Sequence, residues 1–242
     1  MKTLVFISVL FLIPASVAYP GWIDTARQAA EKELEPVISD IGAAISGGLY
    51  QNAETLGFPG VSLNLGVAGA HVSDDNKIIN EDFLPVPFLT ASAGLPFGAD
   101  LFIRGFSYDV ADAGTSISIL GGGLKYGILE DRMISPVPGV SAIFSYHRFD
   151  TSGFTVNTTS LGVLASKNLP LITPYAGISY DITRSKIDAQ LGNLRPSAEN
   201  FRIGGGVEFS PLPVLLVNAS ASLIDGNLGW YAGAGARLTL PF

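Results

Sequence analysis

The chain has no cysteine. That excludes a disulfide scaffold, a thiolate metal site and a cysteine-anchored lipoprotein, and it is neutral on export. Histidine is nearly missing too: His71 and His147 are the only two, too few for a transition-metal site. No metal and no cofactor is expected. Charge is scarce, at 14% of residues against about 25% in ordinary soluble proteins. The balance is acidic, net −7, which argues against nucleic acid as a partner. A long hydrophobic run is also lacking. The longest late stretch, "FSPLPVLLVNASASLI", is interrupted by Pro211 and Pro213 and carries Asn218, whereas a spanning helix needs about 20 apolar residues. Yet mean hydropathy is +0.39. A chain this apolar with no spanning helix has one other way across a bilayer, a closed barrel of strands.

What is present begins with an export-type leader. "MKTLVFISVLFLIPASVA" has one basic residue, Lys2, a short apolar run and a small-x-small ending at Ser16, Val17 and Ala18. The run is short for a membrane anchor, so 1–18 is expected to be a signal peptide cleaved after Ala18. Losing Lys2 takes the formal charge from −7 to −8. Residues 19–56 come next, with a helical period carried by Ala26, Ala29, Ala30, Leu34, Val37, Ile38, Ile41, Ala44 and Ile45. Pro36 predicts a kink or a break into two helices, and Gly47 and Gly48 a stop. The apolar stripe must be buried somewhere. It can plug a lumen, cap its mouth or lie on the membrane, and docking from the periplasmic side is the expectation.

From residue 57 onward the texture changes to strands. Ten are expected, at about 61–71, 86–95, 99–109, 115–128, 139–149, 154–168, 171–183, 201–209, 214–224 and 228–242. Alternation supports them: Val61, Leu63, Leu65 and Val67 oppose Ser62, Asn64, Gly66 and Ala68. The connections sort by parity. Odd ones such as "VSDDNKIINEDFLP" and "RSKIDAQLGNLRPSAEN" are polar and often long; even ones such as "PFG", "NLP" and "SPLP" are mostly short and all hold proline. A meander inserted from one side has this asymmetry.

The last strand, "GWYAGAGARLTLPF", puts Trp230, Leu238, Leu240 and Phe242 on one apolar face. With the leader, the alternating strands and the sorted loops, it resembles the small bacterial outer-membrane β-barrel proteins. The resemblance covers about residues 58–242. It implies an all-β fold, a transmembrane antiparallel β-barrel of about ten strands with an N-terminal amphipathic helical segment. It implies residence in the bacterial outer membrane, contact with outer-membrane lipid, and a terminal strand read by the barrel assembly machinery through Trp230, Leu238, Leu240 and Phe242. The alternative, a soluble sandwich, would carry more charge on its outward faces than the Gly, Ser, Thr and Ala found here.

Charges on such strands belong inside, since each would cost about 2–4 kcal/mol on the lipid face at the midplane. The expected lumen set is Arg104, Lys125, His147, Asp181, Arg202, Glu208 and Arg237. Two roles fit it. The four cations form a constriction that selects anionic small solutes, or they pair with Glu208 and Asp181 and fix the packing, the commoner use in a narrow barrel. An enzyme is not expected. "SAIFSYHRFD" sets Ser145 and His147 two apart on one strand face, near Asp150, but such neighbours seldom give a nucleophile–base geometry, and no G-x-S-x-G is present. "GGGLKYG" and "IGGGVEF" lack nucleotide-loop spacing. The function that follows is a narrow or helix-occluded, porin-like or structural barrel. The alternative is an adhesion or interaction barrel acting through its loops near 72–85 and 183–200.

Overall fold

A helix, α1 (Pro20–Ile45), leads into ten strands: β1 (Val61–His71), β2 (Phe83–Leu95), β3 (Ala99–Val110), β4 (Thr115–Leu129), β5 (Gly139–Thr151), β6 (Phe154–Ser166), β7 (Ile172–Ile187), β8 (Ser197–Leu212), β9 (Leu215–Ile224) and β10 (Asn227–Leu238). The computed structural model describes residues 20–49, 51–79, 81–110, 115–131, 136–151, 154–187 and 194–239, with 20–28, 109, 110 and 115 as backbone only. Each strand pairs antiparallel with its sequence neighbours, and β1 closes on β10 from Val61↔Leu238 to Ala70↔Gly229. Closure leaves no strand as a free edge along its whole length, which is what hydrocarbon demands of a strand protein. All ten expected strands are present. The leader, 1–18, and the terminal Leu240 and Phe242 lie outside the described residues.

The alternation explains the wall. In β7, Thr173, Tyr175, Ser179, Asp181 and Thr183 are buried, while Ile172, Ile178 and Tyr180 between them are exposed. The same pattern puts Leu63, Leu65, Leu101, Ile103, Leu161, Ile203 and Leu223 on the outside. The exterior is therefore an apolar band and the interior is largely polar, the reverse of a soluble protein. Outward Tyr146 and Tyr180 flank the band toward one end, and Tyr126 toward the other.

The two ends differ, though less cleanly than the parity of the connections predicts. One end carries the connections 72–82 and 188–196, the other the tight turns 96–98 and 213–214. Two features depart from the expectation. The connection 130–138 is long although it lies at the short-turn end, and β7 and β8 reach to Ile187 and back from Ser197 into what reads as loop. The β7–β8 hairpin thus projects beyond the band, since crossing takes about 9–11 residues and each of these strands has 16.

The helix differs most. It is one unbroken element through Pro36. Proline removes only the bond to the carbonyl of Lys32, and Lys32 is exposed, so water can take its place. Nor does the helix dock from the short-turn end. Residues 29–36 are part-exposed, and the rest runs into the lumen from the long-loop end, where Glu31 accepts the Arg195 N–H and Asp40 accepts the Ser73 N–H and the Asn76 side-chain amide. From Ser46 the chain continues down the lumen, leaves at the short-turn end near Gly57–Gly60 and becomes β1. Polar groups on β7 and β8 at mid-barrel draw it inside, as set out below.

One seam is incomplete. The β2–β3 ladder runs from Leu95↔Ala99 only to Leu89↔Gly105, although β2 begins at Phe83 and β3 continues to Val110. Pro85 and Pro87 account for this. Both keep their places in the β1–β2 ladder, opposite Gly69 and Val67, so their missing N–H groups fall on the β3 side.

Candidate functional site: a lumen closed by the chain's own helix

An α-helix leaves its last four carbonyls without helical partners. Here those of Gly42, Ala43, Ala44 and Ile45 all find partners, inside the barrel. Gly42 accepts from the Ser46 N–H at 3.0 Å, and Ala44 from the Gly47 N–H at 3.2 Å. The other two are met by the wall. Arg202 of β8 donates to the Ala43 carbonyl at 2.7 Å, and Arg104 of β3 to those of Ile45 and Gly47 at 3.0 and 2.8 Å. Two guanidinium groups thus face the negative end of the helix dipole, in low dielectric, where the attraction is strongest. Both arginines are buried, at 3% and 4% exposure.

Each has a further anchor. Arg202 pairs with Asp181 at 3.3 Å and donates to Ser46 Oγ at 2.8 Å; Ser46 Oγ donates to Asp181 at 2.8 Å. Arg104 lies 3.6 Å over the ring of Phe88, a cation–π contact. Close approach does the rest. A Cβ on Gly42 would stand 2.1 Å from Thr183 Oγ1, and one on Gly48, at φ +70°, 2.3 Å from the Tyr231 ring. The helix end touches the wall directly because these positions carry no side chain.

Below the helix, residues 51–56 are tied in turn. Lys125 pairs with Asp100 at 3.1 Å and donates to the Glu54 carbonyl at 2.6 Å. Arg237 pairs with Glu208 at 2.8 Å, and Glu208 accepts from Asn52 at 3.2 Å. Asp100 also accepts the Leu56 N–H at 2.9 Å. A cavity of about 420 Å³ lies among these groups at the short-turn end, lined by Gln51, Asn64, Lys125 and Arg237. The helix end stands above it in the lumen.

All seven charged or titratable residues expected in the lumen lie on inward-facing positions. Two of the four cations have the carboxylate partners that the packing role names, and two do not. Arg202 and Arg237 pair with Asp181 and Glu208, while Arg104 and Lys125 are bound chiefly to backbone carbonyls of the N-terminal segment. Asp100 completes the set and was missed, because the alternation of the third strand is obscured by "FIRGFSYD". The carbonyl partners left no signal in any side-chain pattern. His147 is fully buried with neither ring nitrogen hydrogen-bonded, and the buried hydroxyls of Ser141, Ser145 and Ser160 have no partner either. No Ser145–His147 hydrogen bond forms. Asp150 lies outside, bonded to Arg148, across the strand from the imidazole. Among the described residues no cluster of three or more His, Asp or Glu could hold a metal.

Comparison with other proteins bears on the wall. A family model described as a family of unknown function, DUF6588, matches residues 77–242. The chain belongs to that family. No curated protein matches. Among solved structures, the barrel is similar to the β domain of the Bordetella autotransporter BrkA, at 11% identity over 75% of this chain and all of that one, with a TM-score of 0.51. It is similar also to the N-terminal β-barrel domain of Pseudomonas aeruginosa OprF, at 14% identity over 73% of this chain and 97% of that one, TM-score 0.38. A third is Yersinia pestis Ail, crystallised with the heparin analogue sucrose octasulfate, at 15%, 74% and 99%, TM-score 0.38. The fold is that of a bacterial outer-membrane barrel.

Proposed function

We propose that this is an integral outer-membrane barrel that carries its own plug, so that solute passes the centre only when the N-terminal segment is displaced. The observation that supports it is the double arginine clasp on the helix end. A lumen kept open for diffusion has no use for guanidinium groups spent on backbone carbonyls. In this reading the short-turn end faces the periplasm, 1–18 is the export signal, and the loops and helix start face outward. The terminal strand serves assembly. The exterior band, with its aromatics toward both ends, supports the membrane setting.

Planar-bilayer recording tests the plug. The intact protein is expected to give no steady current. Gly42→Val, which drives a side chain into Thr183, and the double variant Arg104→Met/Arg202→Met, which unclasps the helix end, are expected to conduct. A steady, large current from the intact protein overturns the reading, as does silence from both variants once gel mobility shows them folded.

A second reading has its own observation. The part-exposed helix residues 29–36, the 72–82 connection and the projecting β7–β8 hairpin stand together at one end. That cluster supports interaction with a partner outside the cell.

A further inference from the structure

The lumen is not uniformly polar. Beside β7 and β8 the helix and the turn after it meet Asp181, Thr183 and Arg202. On its other side, toward β2, β3 and β4, it meets apolar side chains. A cavity of about 320 Å³ lies there. Ile41, Ala44 and Ile45 of the helix form one side of it, Leu84, Val86, Ile117 and Ile119 the wall. The cavity also reaches Pro85 and Pro87, in the stretch of β2 that has parted from β3. Phe106 and Tyr108 share the inward face of β3 with the buried Phe102 and Arg104, yet they are 36% and 57% exposed, in the stretch where β3 has no pairing to β2.

We propose that this cavity binds a single hydrocarbon chain, such as that of a fatty acid, which reaches it from the bilayer through the gap between 83–88 and 106–110. Three observations carry it. The lining offers almost nothing to a polar ligand. The lining takes in Pro85 and Pro87, on the outer side of β2, as well as Leu84 and Val86 on its inner side, so the cavity reaches into the unpaired seam. Its volume is at the small end of ligand pockets, which run from about 300 to 1,000 Å³, and so suits one chain rather than a whole multi-acyl lipid. The seam is also built, not frayed: two prolines two residues apart each withhold the donor that would close it. The proposal rests on the membrane reading and is independent of the plug's conductance.

The full-length protein in bilayer discs is irradiated with dodecanoic acid bearing a terminal diazirine, and adducts are mapped by mass spectrometry. Adducts are expected on Ile117 or Ile119 and on Ala44 or Ile45, and unlabelled dodecanoate is expected to compete them away. Adducts on Leu161 and Ile203, far round the outer band, should not be competed. Ile117→Trp, and Ile117→Phe should the first misfold, are expected to lower the inner adducts at least tenfold and leave the outer ones unchanged. Pro85→Val/Pro87→Val restores two donors and is expected to slow inner labelling when the probe is preloaded in the bilayer, and not when it is added from water at the long-loop end. Equal rates in both arms overturn the seam as the route. Adducts confined to the outer band overturn the site. Heat-modifiable gel mobility of the same samples reports the barrel separately, so a folded barrel without inner adducts refutes the cavity and spares the membrane reading.

Discussion

Arg202 shows how a buried charge is held. It has one carboxylate partner, two oxygens of the helix end and the Ser222 hydroxyl at 3.5 Å, and Asp181 has in addition the hydroxyls of Ser46 and Ser179. Removing one partner strands the other. Arg202→Met leaves Asp181 charged and buried, which costs about 3–5 kcal/mol in such pairs. Removing both leaves no orphan charge. We therefore expect Arg202→Met to lower the temperature of the gel-mobility shift markedly, and Arg202→Met/Asp181→Leu to recover part of the loss. If the double variant melts below the single one, the pair is not coupled in this way. The lumen charges were legible from chemistry at this scale, since a charge at the midplane of the apolar band has only one place to go, whereas Arg148 and Asp150 face outward as a pair. Their partners were not. A carbonyl on a helix end is identical at every residue, so nothing in the letters Ala43 or Ile45 marks it as the acceptor of an arginine from the wall.

Elements were legible in proportion to how strictly they alternate. Strand β1 begins and ends where its period of two does, at Val61 and His71. By contrast β8 starts four residues before Phe201, because "SAEN" reads as loop by composition and is held in the ladder by pairing to β7 from Arg184↔Ser197. Proline misled in a similar way. Pro85 seemed to end the first long loop, yet it sits within β2, where its effect is to open the seam rather than to end the strand. Between elements, the long 130–138 connection is fastened to the β6–β7 turn through Asp131, whose carboxylate accepts from Lys167 and from the Asn168 N–H at 2.5 Å. Burial opposes that charge, but the Lys167 and Asn168 donors outweigh it and hold the Asp131 carboxyl below the usual carboxylate range. A depressed folded-state value means the tie stabilises above the unfolded value, about 4, and is lost as pH falls through the folded one. Hydrogen exchange at Asn168 is expected to be slow at pH 6, to quicken relative to its intrinsic rate as pH falls below about 4, and to be fast at both values in Asp131→Asn. Equal protection with and without the carboxylate would contradict the tie.

For the whole molecule, the decisive property is direction. A helix inserted from the long-loop end and a chain that leaves at the short-turn end place residues 32 and 130 on opposite sides of the band. The helical segment was legible as something to be buried, from its apolar stripe, but not the end from which it enters. Amphipathicity specifies a face, and direction is decided by which distant side chains wait inside. The lack of cysteine makes the direction measurable, because a single introduced thiol is the only one present. Lys32 and Glu130 are both exposed and neither has a partner role in the clasp. With intact cells and a membrane-impermeant maleimide, Lys32→Cys is expected to label and Glu130→Cys to stay unlabelled until the outer membrane is opened. The reverse pattern would turn the barrel over and put the helix start in the periplasm. Labelling of both on intact cells would remove the membrane from between them.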